Sequence, residues 1–203
     1  HHAAGLAAVM THSPPPAPSL AASSWVRRFA HLVPPGEVLD LACGSGRHAR
    51  LFAGLGHPVL AVDRDPQALA SAAGPGIVTL EHDLEVDGAT WPFAAGRFAG
   101  IVVTNYLHRP LMAQLMASLA PNGVLLYETF ALGNELFGKP SNPAFLLRPG
   151  ELLDHAVGGG LQVLAFEDGV IARPKLARVQ RLCAAGQGAV QTEVKLDHLS
   201  GAE

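Results

Sequence analysis

A glycine-rich turn follows a short apolar segment near the start of the chain. The segment 38–41 is apolar except for Asp40, and Gly44 and Gly46 follow it before a segment with helical character. Because glycine has no Cβ, such a backbone can adopt a positive φ and approach a ligand that a side chain would exclude. The turn therefore predicts a binding site for a nucleotide-like ligand.

Two classes of cofactor use such a turn. The stretch 44–49 fits the dinucleotide pattern G-x-G-x-x-G/A, and Asp63 follows about 20 residues later, where that pattern expects an acid for the ribose. Asp40 favours the other class, because a carboxylate beside the turn would repel a pyrophosphate. S-adenosylmethionine has no phosphate and carries a sulfonium and an ammonium cation, which a carboxylate attracts.

At this point the sequence resembles the class I methyltransferases, whose first motif is an acid followed by a G-x-G turn. The resemblance covers roughly residues 36 to 130 and is carried by segments 38–48, 59–64, 81–84, 104–106 and 119–123. It is strongest to small single-domain members such as the tellurite-resistance type. It implies a Rossmann-like methyltransferase fold with sheet order 3-2-1-4-5-7-6.

The resemblance also implies how the cofactor is held. Asp63 would accept hydrogen bonds from both ribose hydroxyls, Arg64 would lie along the adenine face, and Asp83 would accept from the adenine N6 while the next backbone N–H reaches a ring nitrogen. Glu81 and Glu85 are alternatives to Asp83. The implied cofactor-binding residues are Asp40, Ala42, Gly44, Gly46, Asp63, Arg64, Asp83, Leu84 and Asn105.

Polar residues follow the fourth predicted strand, beside the expected position of the transferable methyl group. Tyr106 and His108 are the candidate catalytic residues, and His108 is the candidate base because histidine has a reference pKa near 6.5. A surface histidine at a helix start is the alternative. Methyl transfer is a displacement at carbon, so correct placement of the acceptor supplies most of the acceleration, and a base is needed only when the acceptor must lose a proton.

Two further comparisons narrow the candidate residues. The segment 105–108 lacks the N-P-P-Y sequence of adenine- and glutamine-specific methyltransferases, so those acceptors are not favoured. Tyr127 and Glu128 are neighbours near the end of the fifth predicted strand, so only one of them can face the site. No spacing of His, Cys, Asp and Glu predicts a metal site.

Apolar strands alternate with helical segments, which predicts an α/β fold with a doubly wound sheet. The predicted strands are 37–41, 59–62, 77–80, 98–104, 124–130, 161–166 and 177–184. The link 167–175 is too short for a crossover helix, so the last two strands are predicted to be an antiparallel hairpin, with Asp168 and Gly169 on the side away from the site. Leu51, Phe52 and Leu55 are predicted to face the sheet from the first crossover helix.

The predicted organisation is a flexible leader (1–22), a methyltransferase domain (23–184) and a polar tail (185–203). The leader begins with His1 and His2, which we interpret as a tag or upstream translation, with Met10 as a plausible start. Residues 131–147 follow the fifth strand without regular structure and are predicted to be a substrate lid. Without the lid, the acceptor pocket would depend on Trp25, Tyr106 and His108.

Composition limits the remaining possibilities. The chain has 203 residues, 49% of them hydrophobic, and a formal net charge of −3. Its 14 basic residues are scattered along the sequence, which argues against a nucleic-acid partner, and no apolar run is long enough for a membrane span. Two cysteines form no disulfide framework, so the predicted location is the cytoplasm. The oligomeric state is not predicted.

The sequence therefore predicts a soluble S-adenosylmethionine-dependent methyltransferase that acts on a small molecule. An RNA or protein methyltransferase is an alternative, and its sign would be a broad basic or open groove at the carboxyl edge of the sheet. An NAD-dependent oxidoreductase would have a parallel final strand and a second half-domain. A non-catalytic S-adenosylmethionine-binding protein would lack an enclosed acceptor pocket.

Overall fold

The structure is a computed structural model that describes residues 21–197. Within this range, seven strands form one sheet in the order β3-β2-β1-β4-β5-β7-β6. The strands are β1 (Val38–Leu41), β2 (Val59–Asp63), β3 (Ile77–Glu81), β4 (Phe98–Thr104), β5 (Leu119–Phe130), β6 (Gln162–Ile171) and β7 (Ala177–Ala185). The first five strands are parallel to one another, whereas β7 is antiparallel to both β5 and β6. The predicted fold class and strand order are confirmed, and the parallel final strand expected for an oxidoreductase is contradicted.

Helices cover both faces of this sheet. They are α1 (Ser24–Phe29), α2 (Arg47–Gly54), α3 (Pro66–Ala72), α4 (Met112–Ala117) and α5 (Glu151–Gly158). Asp65 caps α3, because its carboxylate accepts a hydrogen bond from the Gln67 backbone N–H at 2.9 Å and Pro66 follows as the first helical residue. This cap is the one that the dipeptide Asp65-Pro66 predicts.

The structure places Leu55 and Trp25 in positions that the sequence analysis does not predict. Leu55 is 54% exposed, because α2 ends at Gly54 and the following residue no longer lies on the buried face. Trp25 is buried in the core beneath β7, where its indole N–H donates to the Leu182 carbonyl oxygen at 3.0 Å. The prediction that Leu55 faces the sheet is therefore wrong, and Trp25 lines neither of the two cavities described below.

The hairpin of β6 and β7 turns at the same edge of the sheet as the ends of the parallel strands. Phe130, the last residue of β5, pairs with Val179 near the start of β7, because the two strands are antiparallel. Ile171 at the end of β6 pairs with Ala177, so the turn 172–176 lies at the carboxyl edge. Asp168 and Gly169 are close to this turn, and their predicted position on the far side is wrong.

The ends of the described range also pack on the domain. The Gly186 N–H donates to the Gly123 carbonyl oxygen at 2.9 Å, and the Gly188 N–H donates to the Pro121 carbonyl oxygen at 2.7 Å. The predicted tail 185–203 thus begins with the last residue of β7 and stays bonded to the body at these two positions. The predicted leader lies outside the described residues except for 21 and 22. In the range 21–197, no helix has the length and apolar character needed to cross a bilayer.

Candidate functional site

Two cavities meet at the carboxyl edge of the sheet. The first, of about 540 Å³, contains Asp63, Asp83 and Glu85 with Arg64 and is called here the acidic cavity. The second, of about 490 Å³, is called the basic cavity, and it lies between the glycine turn, the segment 134–139 and the hairpin turn. Both are lined by Ala42, Asn105 and Phe130, so the two cavities adjoin at these residues.

Gly44 opens toward the basic cavity. Its φ is +56°, and a Cβ at this position would have no atom within 4 Å. Its N–H donates to Asp63 Oδ2 at 2.9 Å, and the other carboxylate oxygen of Asp63 accepts from the Asp65 N–H at 2.9 Å. Asp63 therefore holds the glycine turn from the end of β2 and lines the acidic cavity with the same carboxylate.

Gly46 has a packing role. Its φ is +88°, and a Cβ would lie 2.6 Å from the Cβ of Ala72 on α3. It lines neither cavity. The close approach that requires a glycine here is to a neighbouring helix, and contact of Gly46 with the ligand stays a prediction.

Asp40 lies beneath the turn, outside both cavities. It is 2% exposed, and its Oδ2 accepts a hydrogen bond from the Ala49 backbone N–H at 2.9 Å. Burial raises the pKa of its carboxyl group to about 7, although the Ala49 hydrogen bond acts in the opposite direction. The carboxylate thus supports the first turn of α2, and its contact with the cofactor stays a prediction.

This burial predicts how stability depends on pH. The pKa of Asp40 is higher in the folded state than in the unfolded chain, so the folded state binds the additional proton between about pH 4 and pH 7. As the pH rises through this window, the contribution of Asp40 to the free energy of unfolding should decrease by about 1.4 kcal/mol per pH unit. Asp40→Asn keeps an acceptor for the Ala49 N–H and has no charge to bury.

We therefore expect urea unfolding to show that the stability of Asp40→Asn, relative to the original protein, rises steadily from pH 5 to about pH 7 and levels off above it. The Asp65→Asn variant is the control, because Asp65 is exposed. A constant difference between Asp40→Asn and the original protein over this range would contradict the assignment.

The junction of the two cavities is built from strained backbone. Ala42 and Asn105 have φ values of +53° and +55°, and they are the only non-glycine residues in 21–197 with a positive φ. They follow the adjacent strands β1 and β4, and the Asn105 N–H donates to the Glu128 carbonyl oxygen at 2.9 Å. Non-glycine residues in this conformation cost about 1 to 3 kcal/mol each and cluster at functional sites.

The acidic cavity contains most of the predicted cofactor-binding residues. Asp63, Arg64, Asp83, Leu84, Asn105 and Tyr106 all line it, together with Ala42. One oxygen of Asp83 accepts from the Glu85 N–H at 2.9 Å, which leaves the other available to a ligand. His82 also lines this cavity, and its Nε2 is buried with no hydrogen-bond partner among the described residues. Such a nitrogen is a candidate contact for a bound ligand.

The two candidate catalytic residues are in different environments. Tyr106 lines the acidic cavity, and burial raises the pKa of its phenol above its usual range, so the group remains a hydrogen-bond donor at neutral pH. His108 lines neither cavity, and its Nδ1 lies 3.2 Å from Glu85 Oε1. The structure therefore brings Tyr106 to the site and directs the imidazole of His108 toward the carboxylate of Glu85.

A buried polar network that the sequence analysis missed supports the basic cavity. His48 is 1% exposed and accepts a hydrogen bond from the Ser23 N–H at Nε2, at 3.0 Å. Burial lowers the pKa of His48 to about 3, so the ring is neutral and its proton is on Nδ1, 3.5 Å from Thr104 Oγ1. The sequence gives no signal for this contact, because Ser23 precedes His48 by 25 residues.

The orientation of the pair at the end of β5 is resolved. Tyr127 is buried on the side of α4 and α5, and its hydroxyl donates to the Tyr106 carbonyl oxygen at 2.7 Å. Glu128 lines the basic cavity, where it accepts from Ser23 Oγ at 3.2 Å and forms an ion pair with Arg181. Of the two further candidates, Glu128 is the one that faces the site.

The segment 131–147 covers both cavities and is fixed at its two ends. Asn134 is 1% exposed, and its side-chain oxygen accepts from the Arg178 N–H at 3.1 Å. Near the other end, Arg109 donates to the carbonyl oxygens of Ala144 and Leu146 at 3.0 and 2.9 Å. Between these anchors, Phe145 lines the acidic cavity and Lys139 lines the basic cavity.

The chemistry of the acidic cavity fits S-adenosylmethionine. Carboxylates at the ends of β2 and β3 can accept hydrogen bonds from ribose hydroxyls and an adenine amine, and they favour a nearby cation. The open space where a Gly44 Cβ would lie allows the methionine part of such a ligand to cross the turn. The fold and these residues together define a class I S-adenosylmethionine-dependent methyltransferase.

The comparison with known proteins gives the family. Residues 19–141, more than half of the chain, match a family model described as a methyltransferase domain, and the chain belongs to this family. It is 34% identical to protein-L-isoaspartate O-methyltransferase of Chlorobaculum tepidum over 129 residues. The aligned residues cover 62% of this chain and 56% of that protein. The chain thus spans little more than half the length of that curated relative.

Solved structures agree on the fold. TehB from Haemophilus influenzae superposes with a TM-score of 0.64 at 19% identity, over 79% of this chain and 61% of that chain. An S-adenosylmethionine-dependent methyltransferase from Mesorhizobium loti gives a TM-score of 0.63 at 19% identity, over 81% of this chain and 98% of that chain. A 1,6-didemethyltoxoflavin-N1-methyltransferase from Burkholderia thailandensis was solved with S-adenosylhomocysteine. It gives a TM-score of 0.57 at 23% identity, over 79% of this chain and 75% of that chain. S-adenosylmethionine is therefore the cofactor of this fold and family.

Proposed function

We propose that this chain transfers the methyl group of S-adenosylmethionine to a small-molecule acceptor. The observation that carries the proposal is the meeting of two cavities of similar size at Ala42, Asn105 and Phe130. The acidic cavity would hold the adenosine part of the cofactor, and the basic cavity would hold the acceptor. The reaction centre would lie at the shared residues.

In this proposal the chain acts mainly by placing the reactants. When bound, the cofactor supplies an electrophilic methyl group, and the bond from the acceptor to this carbon forms as the carbon–sulfur bond breaks and its electron pair stays on sulfur. Asp63 would hold the ribose, and Asn105 would fix the backbone beside the reacting atoms. Tyr106 would act as a donor that orients a ligand, since its phenol remains protonated.

The segment 131–147 would serve as a lid over both ligands. Its ends are anchored by Asn134 and by the bonds of Arg109 to Ala144 and Leu146, so movement would be confined to 135–143. Displacement of water by this segment would favour attack by the acceptor over side reactions. The buried, free thiols of Cys43 and Cys183 are consistent with a reducing compartment, and we infer the cytoplasm.

A second candidate is O-methylation of a carboxylate in a protein. The relative from Chlorobaculum tepidum favours it, because that protein is named for L-isoaspartate in proteins and shares 34% identity with this chain. A protein substrate would need the lid to leave a groove wide enough for a backbone.

The test is a titration followed by a transfer assay. We expect S-adenosylmethionine and S-adenosylhomocysteine to bind in calorimetry and NAD to show no binding. With radiolabelled S-adenosylmethionine, a fractionated small-metabolite extract should accept label, whereas an isoaspartyl peptide should not. Transfer only to the peptide would establish the second candidate, and binding of NAD alone would overturn both.

A further inference from the structure

The wall of the basic cavity carries a net positive charge, although the chain as a whole is negatively charged. Five basic residues and one acidic residue line it, in a chain whose formal net charge is −3. They are Arg47, Lys139, Arg173, Lys175, Arg181 and Glu128. A concentration of one sign of charge in a concave site raises the local concentration of ions of the opposite sign.

Two of the basic residues already have partners or a position beside the cofactor. Arg181 is paired with Glu128 and also lies 3.5 Å from Glu167. Arg47 follows the glycine turn and donates to the Ala21 carbonyl oxygen at 3.2 Å, and under the proposed function it would balance the single carboxylate of the cofactor. These two cations therefore need no further anion.

The other three basic residues of the cavity are unpaired among the described residues. The side chains of Lys139, Arg173 and Lys175 form no hydrogen bond or ion pair with any residue in 21–197. All three are exposed. Like charges gathered at one site repel one another, and a bound anion would remove this repulsion.

Two loops bring these three residues together. Lys139 lies on the segment 131–147, whereas Arg173 and Lys175 lie on the hairpin turn 172–176. A Cβ at Gly138, next to Lys139, would lie 3.7 Å from Lys175 Nζ, so the loops approach closely. The hydrogen bond from the Arg178 N–H to Asn134 Oδ1 at 3.1 Å fixes the segment 131–147 against the start of β7, next to the hairpin turn.

We propose that the acceptor of this methyltransferase is a small anionic molecule whose carboxylate or phosphate group binds between Lys139, Arg173 and Lys175. This proposal rests on the function proposed above. Its methyl-accepting atom would lie inward, toward Asn105. Phe137 and Leu176, which line the same cavity, would contact the apolar part of the molecule.

An RNA is the less favoured anion. Binding of nucleic acid usually requires several phosphate contacts along an extended basic surface. Here the basic surface stops at the junction, because the adjoining cavity contains Asp63, Asp83 and Glu85. These carboxylates would repel a phosphate backbone that continued past Asn105.

The test uses two matched double variants of the full chain. Arg173→Gln/Lys175→Gln removes two charges from the hairpin turn. Arg27→Gln/Lys195→Gln removes the same two residue types from exposed positions outside both cavities. Calorimetry with inorganic phosphate and with malonate, each in the presence of S-adenosylhomocysteine, measures anion binding and separates the phosphate from the carboxylate source.

We expect the cavity variant to bind the preferred anion at least tenfold more weakly and the control to bind it normally. Lys139→Gln, on the opposing loop, should also weaken binding. All variants should keep their affinity for S-adenosylhomocysteine. If the original protein does not bind S-adenosylhomocysteine, the proposed function itself is overturned.

Three outcomes would overturn the anionic-acceptor proposal alone. In the first, S-adenosylhomocysteine binds but neither phosphate nor malonate does. In the second, the cavity variant and the control lose anion affinity equally, which would indicate general charge attraction. In the third, a 20-nucleotide RNA binds far more tightly than either anion and loses affinity in the cavity variant, which would make the partner a nucleic acid.

Discussion

Gly44→Val is expected to abolish detectable binding of S-adenosylmethionine, with a loss of at least 100-fold. The valine side chain would enter the open space above the turn, where no atom lies within 4 Å of the Cβ position and where the methionine part of the cofactor is expected. Its β-branched side chain also disfavours the φ of +56°. A 100-fold loss corresponds to about 2.7 kcal/mol. Calorimetry with S-adenosylhomocysteine measures it.

The matched control is Gly56→Val at the end of α2. Gly56 has a φ of +94°, and its Cβ position also has no atom within 4 Å, but it lines neither cavity. Both substitutions therefore introduce similar backbone strain, of about 1 to 2 kcal/mol, and only one fills the site. Normal affinity in folded Gly44→Val, or an equal loss in Gly56→Val, would show that the turn does not hold the ligand.

Asp63→Ala should weaken the same binding by tenfold or more. The carboxylate holds the Gly44 N–H at 2.9 Å and is the group expected to bind the ribose, so its removal releases the turn and removes ligand contacts together. A hydrogen bond to a charged group contributes about 1.5 to 3 kcal/mol, and 1.4 kcal/mol corresponds to tenfold. Calorimetry gives the affinity, and thermal unfolding gives the stability.

Asp65→Ala separates binding from folding at the neighbouring position. Asp65 caps α3 and lies outside both cavities, so its loss should cost about 0.5 to 2 kcal/mol of stability with little change in affinity. The two aspartates are expected to show opposite patterns. Equal affinity for the Asp63→Ala variant and the original protein would remove the ribose assignment.

The elements with strong local signals are those that the sequence predicted best. β4 has the predicted bounds, 98–104, because a strand buried on both faces is apolar almost throughout. The cap at Asp65 follows from two adjacent residues. The antiparallel hairpin follows from the short link between its strands. The order of the strands came from the resemblance to class I methyltransferases and not from periodicity.

Two residues of the glycine turn are required by contacts within the protein. Asp40 and Gly46 are of the types and at the spacing of ligand-binding residues, and each also makes a contact that the sequence does not reveal. Asp40 accepts from the Ala49 N–H, and Gly46 leaves room for Ala72 on a helix 20 residues further along. A motif gives the residue type that a position needs, and only the packing shows whether a ligand or a helix imposes the need.

Long-range placement explains what the sequence could not predict about charge. The basic residues are scattered along the chain, yet the fold gathers those at positions 47, 139, 173, 175 and 181 around one cavity. The direction of β7 has to be combined with its pairing to β5 before the hairpin turn can be placed at the carboxyl edge. The same combination corrects the position expected for Asp168 and Gly169.

The reversed direction of β7 also bears on how such a protein can diverge. The residues expected to hold adenosine precede His108 in the chain, whereas Lys139, Arg173 and Lys175 all follow Gly138, and the hairpin lies beyond the residues that match the family model. Replacement of the hairpin turn and of the segment before it would therefore leave the adenosine-binding strands intact. With the acceptor bound as proposed, acceptor preference would be inherited, exchanged or transplanted as a C-terminal module, independently of the cofactor.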